Sequence, residues 1–258
     1  MRIRIFCSAV LALLTTVAGS TAVYAQGVVG QGTWEATLAG RDINLNAVAA
    51  TSDDAVYLYD TTLNVTWLRN ANVAGQMDWN TANLWATNLV TGSGAAAISD
   101  WRLPAMADPN AVTNWTYGGT NAGYNPDPSS SEMASLFFNS LGNKAYYDTN
   151  GNLQAGWGLT NTGSFLNLQS AYYWLGTQYV ISPSNAWMFS TSNGGQTDNG
   201  NTNQFFAMAV HSGDVGSAVT PVPEPATYAM LLGGLGLVGA VARRRRSIDT
   251  SGVTPCQL

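Results

Sequence analysis

Ala171-Tyr172-Tyr173-Trp174-Leu175-Gly176 and Ala186-Trp187-Met188-Phe189-Ser190 are two short aromatic runs bounded by Gly, Ser, Asn and Pro, and Gln204 to Val210 forms a third. Runs this short, rich in β-formers and closed by turn residues, predict buried strands rather than helices. The last two are expected to be joined by a Gly/Asn loop, Ser192 to Asn203. Upstream, Val56-Tyr57-Leu58-Tyr59-Asp60 and Asn64-Val65-Thr66-Trp67-Leu68 flank Thr61-Thr62-Leu63, the pattern of a hairpin. Met77 to Leu89 switches to helical spacing, with Asp78 or Asn80 as cap and Trp79, Ala82, Trp85, Ala86 and Leu89 on one face. Ser129-x-x-Glu132 has the form of a capping box and leads into Met133, Leu136, Phe137 and Leu141, a second helix. The expected fold class is α+β: a mixed antiparallel sheet with two short amphipathic helices and long Gly/Asn-rich loops over 55–216. Residues 26–54 read as a linker or edge segment.

The two ends carry addresses. Arg2 and Arg4, the apolar run Ile5 to Ala18 and Val23-Tyr24-Ala25 predict a signal peptide over 1–25, cleaved after Ala25. At the other end, a tether (217–222) is followed by Pro223-Glu224-Pro225 and an uncharged run, Ala226 to Ala242. Arg243-Arg244-Arg245-Arg246 and a tail (247–258) close the chain. Pro223 and Pro225 prevent a helix from running through them. The 17 residues after them span about 25 Å as a helix, enough for a short transmembrane helix over 226–242. The arginines hold its end at the cytoplasmic face.

Removing both ends changes the composition. Cys7 and Cys256, the two cysteines, fall outside Gln26 to Val222, so the exported part folds without disulfides. That part holds four basic residues against thirteen acids, a net charge of −9 where the whole chain has −5. So acidic a surface disfavours nucleic acid and sulfated polysaccharide and leaves neutral glycans, divalent cations and proteins as partners. All nine tryptophans lie between Trp34 and Trp187, which marks a folded domain and not a disordered stalk.

Pro-Glu-Pro, a short Gly/Leu/Ala-rich helix and an arginine cluster in that order resemble the PEP-CTERM sorting signal (223–246). The resemblance implies export through the inner membrane and processing near Pro223-Glu224-Pro225 by an exosortase. It further implies a cell-surface or extracellular product associated with exopolysaccharide. Such tails usually end at the arginines, and here Ser247 to Leu258 follow.

A second resemblance runs from about Ala55 to Val215. Its landmarks are Tyr59-Asp60, Leu63-x-x-Thr66-Trp67-Leu68, Asp100-Trp101-Arg102-Leu103-Pro104, Tyr173-Trp174-x-Gly176-Thr177, Ala186-Trp187-x-Phe189 and Val210-x-x-Gly213-Asp214. Their order is similar to that in the C-terminal domain of bacterial collagen-like adhesins of the Lcl type, and more loosely in C-type-lectin-like and sulfatase-modifying folds. The resemblance implies a lectin-like fold and an adhesive function. The adhesin's glycosaminoglycan ligands do not suit so acidic a chain.

Most landmark residues read as scaffold: Trp101 as a buried ring, Arg102 as the partner of Asp60 or Glu132. Trp115 and Tyr117 differ, because in the Gly/Asn/Pro loop their rings can stay exposed and stack on a sugar face. Asp148, Asn150 and Asn152 place oxygens at alternate positions around Gly151, like the start of a calcium loop without its closing glutamate, and a plain Asn/Gly turn explains them as well. Asp198-Asn199-Gly200-Asn201 is a weaker version. Catalysis has little support: His211 is the single histidine, and no serine elbow accompanies it and Asp214. The expectation is a binding protein and not an enzyme, with no cofactor beyond calcium; a carbohydrate-active enzyme or a passive matrix component are the alternatives.

Overall fold

The computed structural model describes residues 33–216 except 109, 113, 114, 119 and 120. The signal peptide, tether, sorting signal, transmembrane helix 226–242 and tail lie outside the described residues. Among the described residues, no helix is long and apolar enough to cross a membrane.

Two sheets and a few short helices make up the domain, in agreement with an α+β class dominated by strand. A helical turn, α1 (Trp34–Thr37), leads into β1 (Leu38–Arg41), β2 (Ala47–Val48), β3 (Tyr57–Asp60) and β4 (Val65–Leu68). These join β11 (Val210–Ser212) in an antiparallel sheet of order β11-β4-β3-β1-β2. The segment read as linker or edge therefore supplies β1 and the edge strand β2. The expected hairpin is β3–β4, with Asn64 at φ 53 turning the chain.

The second sheet has the order β5-β10-β7-β8-β9-β6. It comprises β5 (Gln76–Met77), β6 (Gly123–Tyr124), β7 (Tyr172–Gln178), β8 (Asn185–Ser190), β9 (Gly195–Gly200) and β10 (Phe205–Phe206). It is mixed, because β10 pairs parallel to β7 and every other pair is antiparallel. Two sequence expectations need correction here. The Ser192–Asn203 stretch is not a loop throughout: it contains β9, a polar strand whose Gln196 is buried because Ser131 and Asn121 satisfy its amide. Gln204 to Val210 is not one strand. Phe205 and Phe206 belong to the second sheet, Ala207 to Ala209 cross the core at 1–2 % exposure, and Val210 enters the first sheet.

The helices are α2 (Trp79–Asn88) and α3 (Glu132–Ala134), which continues as a π-helical turn over Ser135–Ser140. Asp78 caps α2 by accepting from Thr81 N, and Ala82 and Ala86 face inward. At α3 the cap is Ser131, not Ser129. Ser129 and Ser130 donate their amides to Asp127, and extended Ser131 accepts from Ala134 N. Glu132 does not close a capping box. It accepts from Arg102 at 2.7 Å twice and from Ala105 N at 2.6 Å, tying α3 to the Trp101 loop. Trp67, Trp101, Trp174 and Trp187 are 0–1 % exposed and form the aromatic interior expected of them. The two faces of the second sheet have different covers. Tyr173, Leu175, Trp187 and Phe189 meet the α3 segment, whereas Trp174, Ala186 and Met188 meet α2.

Candidate functional site

Two loops that sequence treats separately come together at one end of the second sheet. The first carries Trp115 and Tyr117 and returns through β6, with Tyr124 N donating to Thr116 O. The second is a hairpin pinned by bridges Lys144–Gly158 and Tyr147–Leu153, with Asp148 to Asn152 as its tip. Asn125 clamps them: in the left-handed region (φ 51), its side-chain amide donates to Tyr117 O at 2.6 Å and Tyr147 O at 2.8 Å. Asparagine tolerates that backbone region better than other residues with a Cβ. At the hairpin tip Gly151 has φ +84, and a Cβ built there would lie 2.9 Å from the Tyr117 ring. The tip is glycine for both reasons.

The result is a continuous patch of rings. Tyr117 meets Tyr147 edge-on at 5.3 Å and stacks near-parallel to Tyr124 at 6.3 Å. Trp115 lies 5.3 Å from Tyr124, and Tyr146 reaches Trp157 at 4.6 Å. Tyr124 contacts Tyr146 and Tyr147 and so links the two halves. Trp115 is 56 % exposed, Tyr117 44 % and Trp157 42 %, although burying such rings is worth about 1.5–3 kcal/mol each. Rings exposed together in this way make the patch a candidate binding surface. Burial, with the phenols of Tyr147 and Tyr146 adding, raises the Tyr124 hydroxyl above its ordinary 10.0, so it stays a neutral donor. Sequence reading singles out Trp115 and Tyr117 for exposed rings, which the structure places together with Tyr124, Tyr146, Tyr147 and Trp157, residues it did not name. The Tyr146-Tyr147 pair within a turn-rich stretch was the available signal.

Asp148, Asn150 and Asn152 sit beside this patch, in an Asx-type turn. One Asp148 oxygen accepts from the backbone amides of Asn150 and Asn152, each at 2.8 Å, and the Asn152 side chain presents its NH2 to the carboxylate. These hydrogen bonds, led by the Asn152 amide, hold the Asp148 carboxyl below its ordinary value. A cation held by all three side chains would require Asn152 to turn its carbonyl inward. Asp198 lies in β9, where it accepts from Asn185 Nδ2 at 2.5 Å. Among the described residues, no three His, Cys, Asp or Glu side chains are grouped to hold a metal.

The remaining chemical candidates are engaged elsewhere. Asp214 is gripped by Arg41 at 3.0 and 2.6 Å and sits in that ion pair, while the His211 ring lies edge-on to Trp101 at 5.8 Å. Glu132 is the partner of Arg102, and Asp60 lies buried among Thr62 N, Leu63 N and Ser140 Oγ. Burial raises the Asp60 carboxyl above its ordinary 3.8.

Compared with known proteins, the chain matches a family model for the PEP-CTERM protein-sorting motif at residues 221–246. The match takes in Pro223, Glu224 and Pro225 and the arginines Arg243, Arg244, Arg245 and Arg246. It marks an exported protein processed by an exosortase, destined for the cell surface or the medium. No curated protein and no solved structure matches the chain. The likeness to the Lcl-type domain therefore stands on its sequence landmarks alone.

Proposed function

We propose that this chain is a non-enzymatic binding protein that, once exported and processed, holds neutral polysaccharide on the ring patch around Trp115 and Tyr117. The observation that carries the reading is the cluster itself. Three exposed rings are held by an Asn125 clamp and a glycine tip on an extracytoplasmic domain. Sugar rings present C–H faces that stack on aromatic planes and hydroxyl rims that hydrogen-bond to amides and phenols, and this patch offers both. The net negative charge of the exported part favours an uncharged polymer over an acidic one. Binding is favoured over turnover because Asp60, Glu132 and Asp214 each have structural partners away from the patch. Adhesion or retention in an exopolysaccharide matrix is the role such binding would serve.

Affinity electrophoresis of the full-length protein through gels containing neutral glucan, galactan or mannan tests the reading. At least one polymer is expected to retard the wild type, and Trp115→Ala to weaken that retardation about tenfold, the effect of losing one anchoring ring. Equal mobility of wild type and variant in every gel overturns it.

A further inference from the structure

The ring patch is continuous with a row across the second sheet. Directly paired residues of antiparallel strands project to the same face. Tyr172 pairs with Ser190, Ser190 with Gly195, and Gly195 with Tyr124, so these four residues share one face in one line. Three strand spacings separate the outer tyrosines, about 14 Å. Neither Ser190 nor Gly195 puts a large side chain between them. Trp115 lies over the glycine, its ring 3.4 Å from where a Cβ would stand. At the far end Tyr172 is 42 % exposed and 5.1 Å from the Phe205 ring. Further along the same face, α2 takes over at Trp174, while at this end Ser190 and Gly195 form a buried floor between the tyrosines.

Building on the glycan-binding reading above, we propose that the site is a track for an internal stretch of a linear neutral polysaccharide, running from Trp157 past Trp115 to Tyr172 and Phe205. A single sugar is about the size of one of these rings and meets one platform. A chain laid along the row meets several at once, and linked contacts act with a raised effective concentration. The named side chains carry rings, hydroxyls and no formal charge, so neither an acidic nor a basic polymer gains an ion pair along the row. A protein partner, whose interfaces also favour Tyr and Trp, would leave every oligosaccharide and polymer unbound.

The test titrates full-length protein with cello- and laminari-oligosaccharides from disaccharide to hexasaccharide by calorimetry, with neutral glucan, galactan and mannan polymers alongside. Wild type is expected to bind hexasaccharide at least about tenfold more tightly than disaccharide. Tyr172→Ala is expected to remove most of that length dependence, and Trp115→Ala to weaken binding at every chain length. Tyr172→Thr, which puts a β-branched strand former in place of the ring, serves if the alanine variant melts early. Affinity independent of chain length, or unchanged hexasaccharide affinity in the Tyr172 variants, overturns the track while Trp115-dependent binding still stands. No binding of any oligosaccharide or polymer overturns both readings.

Discussion

Glu132→Ala removes a carboxylate that accepts three hydrogen bonds at once, two from Arg102 at 2.7 Å and one from Ala105 N at 2.6 Å. Its side chain is 16 % exposed and that of Arg102 35 %. The carboxylate in turn holds the Arg102 guanidinium above its ordinary value. Leaving the Ala105 amide without its acceptor costs roughly 1–3 kcal/mol. The Arg102 arms, a third open to water, add about 1 kcal/mol, near the top of the range for exposed pairs. Together they predict a loss of about 3 kcal/mol, which in a domain of this size lowers Tm by roughly 6–12 °C. Arg102→Met keeps the Ala105 bond and much of the aliphatic packing, so it should cost about 1 kcal/mol. Differential scanning fluorimetry and urea unfolding on both single variants and the double variant measure these terms and their coupling. A Glu132→Ala protein melting within about 2 °C of wild type would refute the idea that this carboxylate ties α3 to the Trp101 loop.

Other consequences follow from particular residues. Gly151→Ala is expected to lower stability by about 1–2 kcal/mol, since its backbone is left-handed, and to weaken polysaccharide binding by moving Tyr117; urea titration and gel retardation report the two effects. Phe189→Ala opens a cavity against Phe137 and Phe138 and should cost about 3–5 kcal/mol in urea unfolding. Asp60 binds protons more tightly folded than unfolded, so its contribution to stability is greatest below its ordinary 3.8 and is lost as pH rises through the raised folded value. Asp60→Asn should accordingly match or exceed wild-type Tm at neutral pH and lose any advantage in acid. Millimolar calcium, followed by a chelator, should leave Tm unmoved; a calcium-dependent rise lost in Asp148→Ala would show a cation at Asp148, Asn150 and Asn152.

The helix at Trp79 and the β3–β4 hairpin were legible because periodicity and capping agree there: Asp78 caps, Ala82 and Ala86 turn inward. The cap of α3 was misread because Ser129, Ser130 and Ser131 stand in a row. The choice falls to Asp127, which captures the first two amides in its own turn. β9 was invisible for a different reason. Gly-Gln-Thr-Asp-Asn-Gly has no apolar alternation, and its buried Gln196 is satisfied only by distant groups, accepting from Ser131 Oγ and donating to Asn121 O. The candidate site was legible in part. A loop position made Trp115 and Tyr117 candidates, but only strand register reveals that Tyr172 shares a face with Tyr124.

Trp115 and Trp157 are the tryptophans most open to solvent, and both lie on the ring patch. Tryptophan emission during titration with a neutral polysaccharide that retards the protein therefore tests the central claim directly. The account predicts a saturable blue shift that disappears in the Trp115→Phe, Trp157→Phe double variant while the polymer still binds, more weakly. A shift of unchanged size in that variant would place the polysaccharide elsewhere and contradict the account.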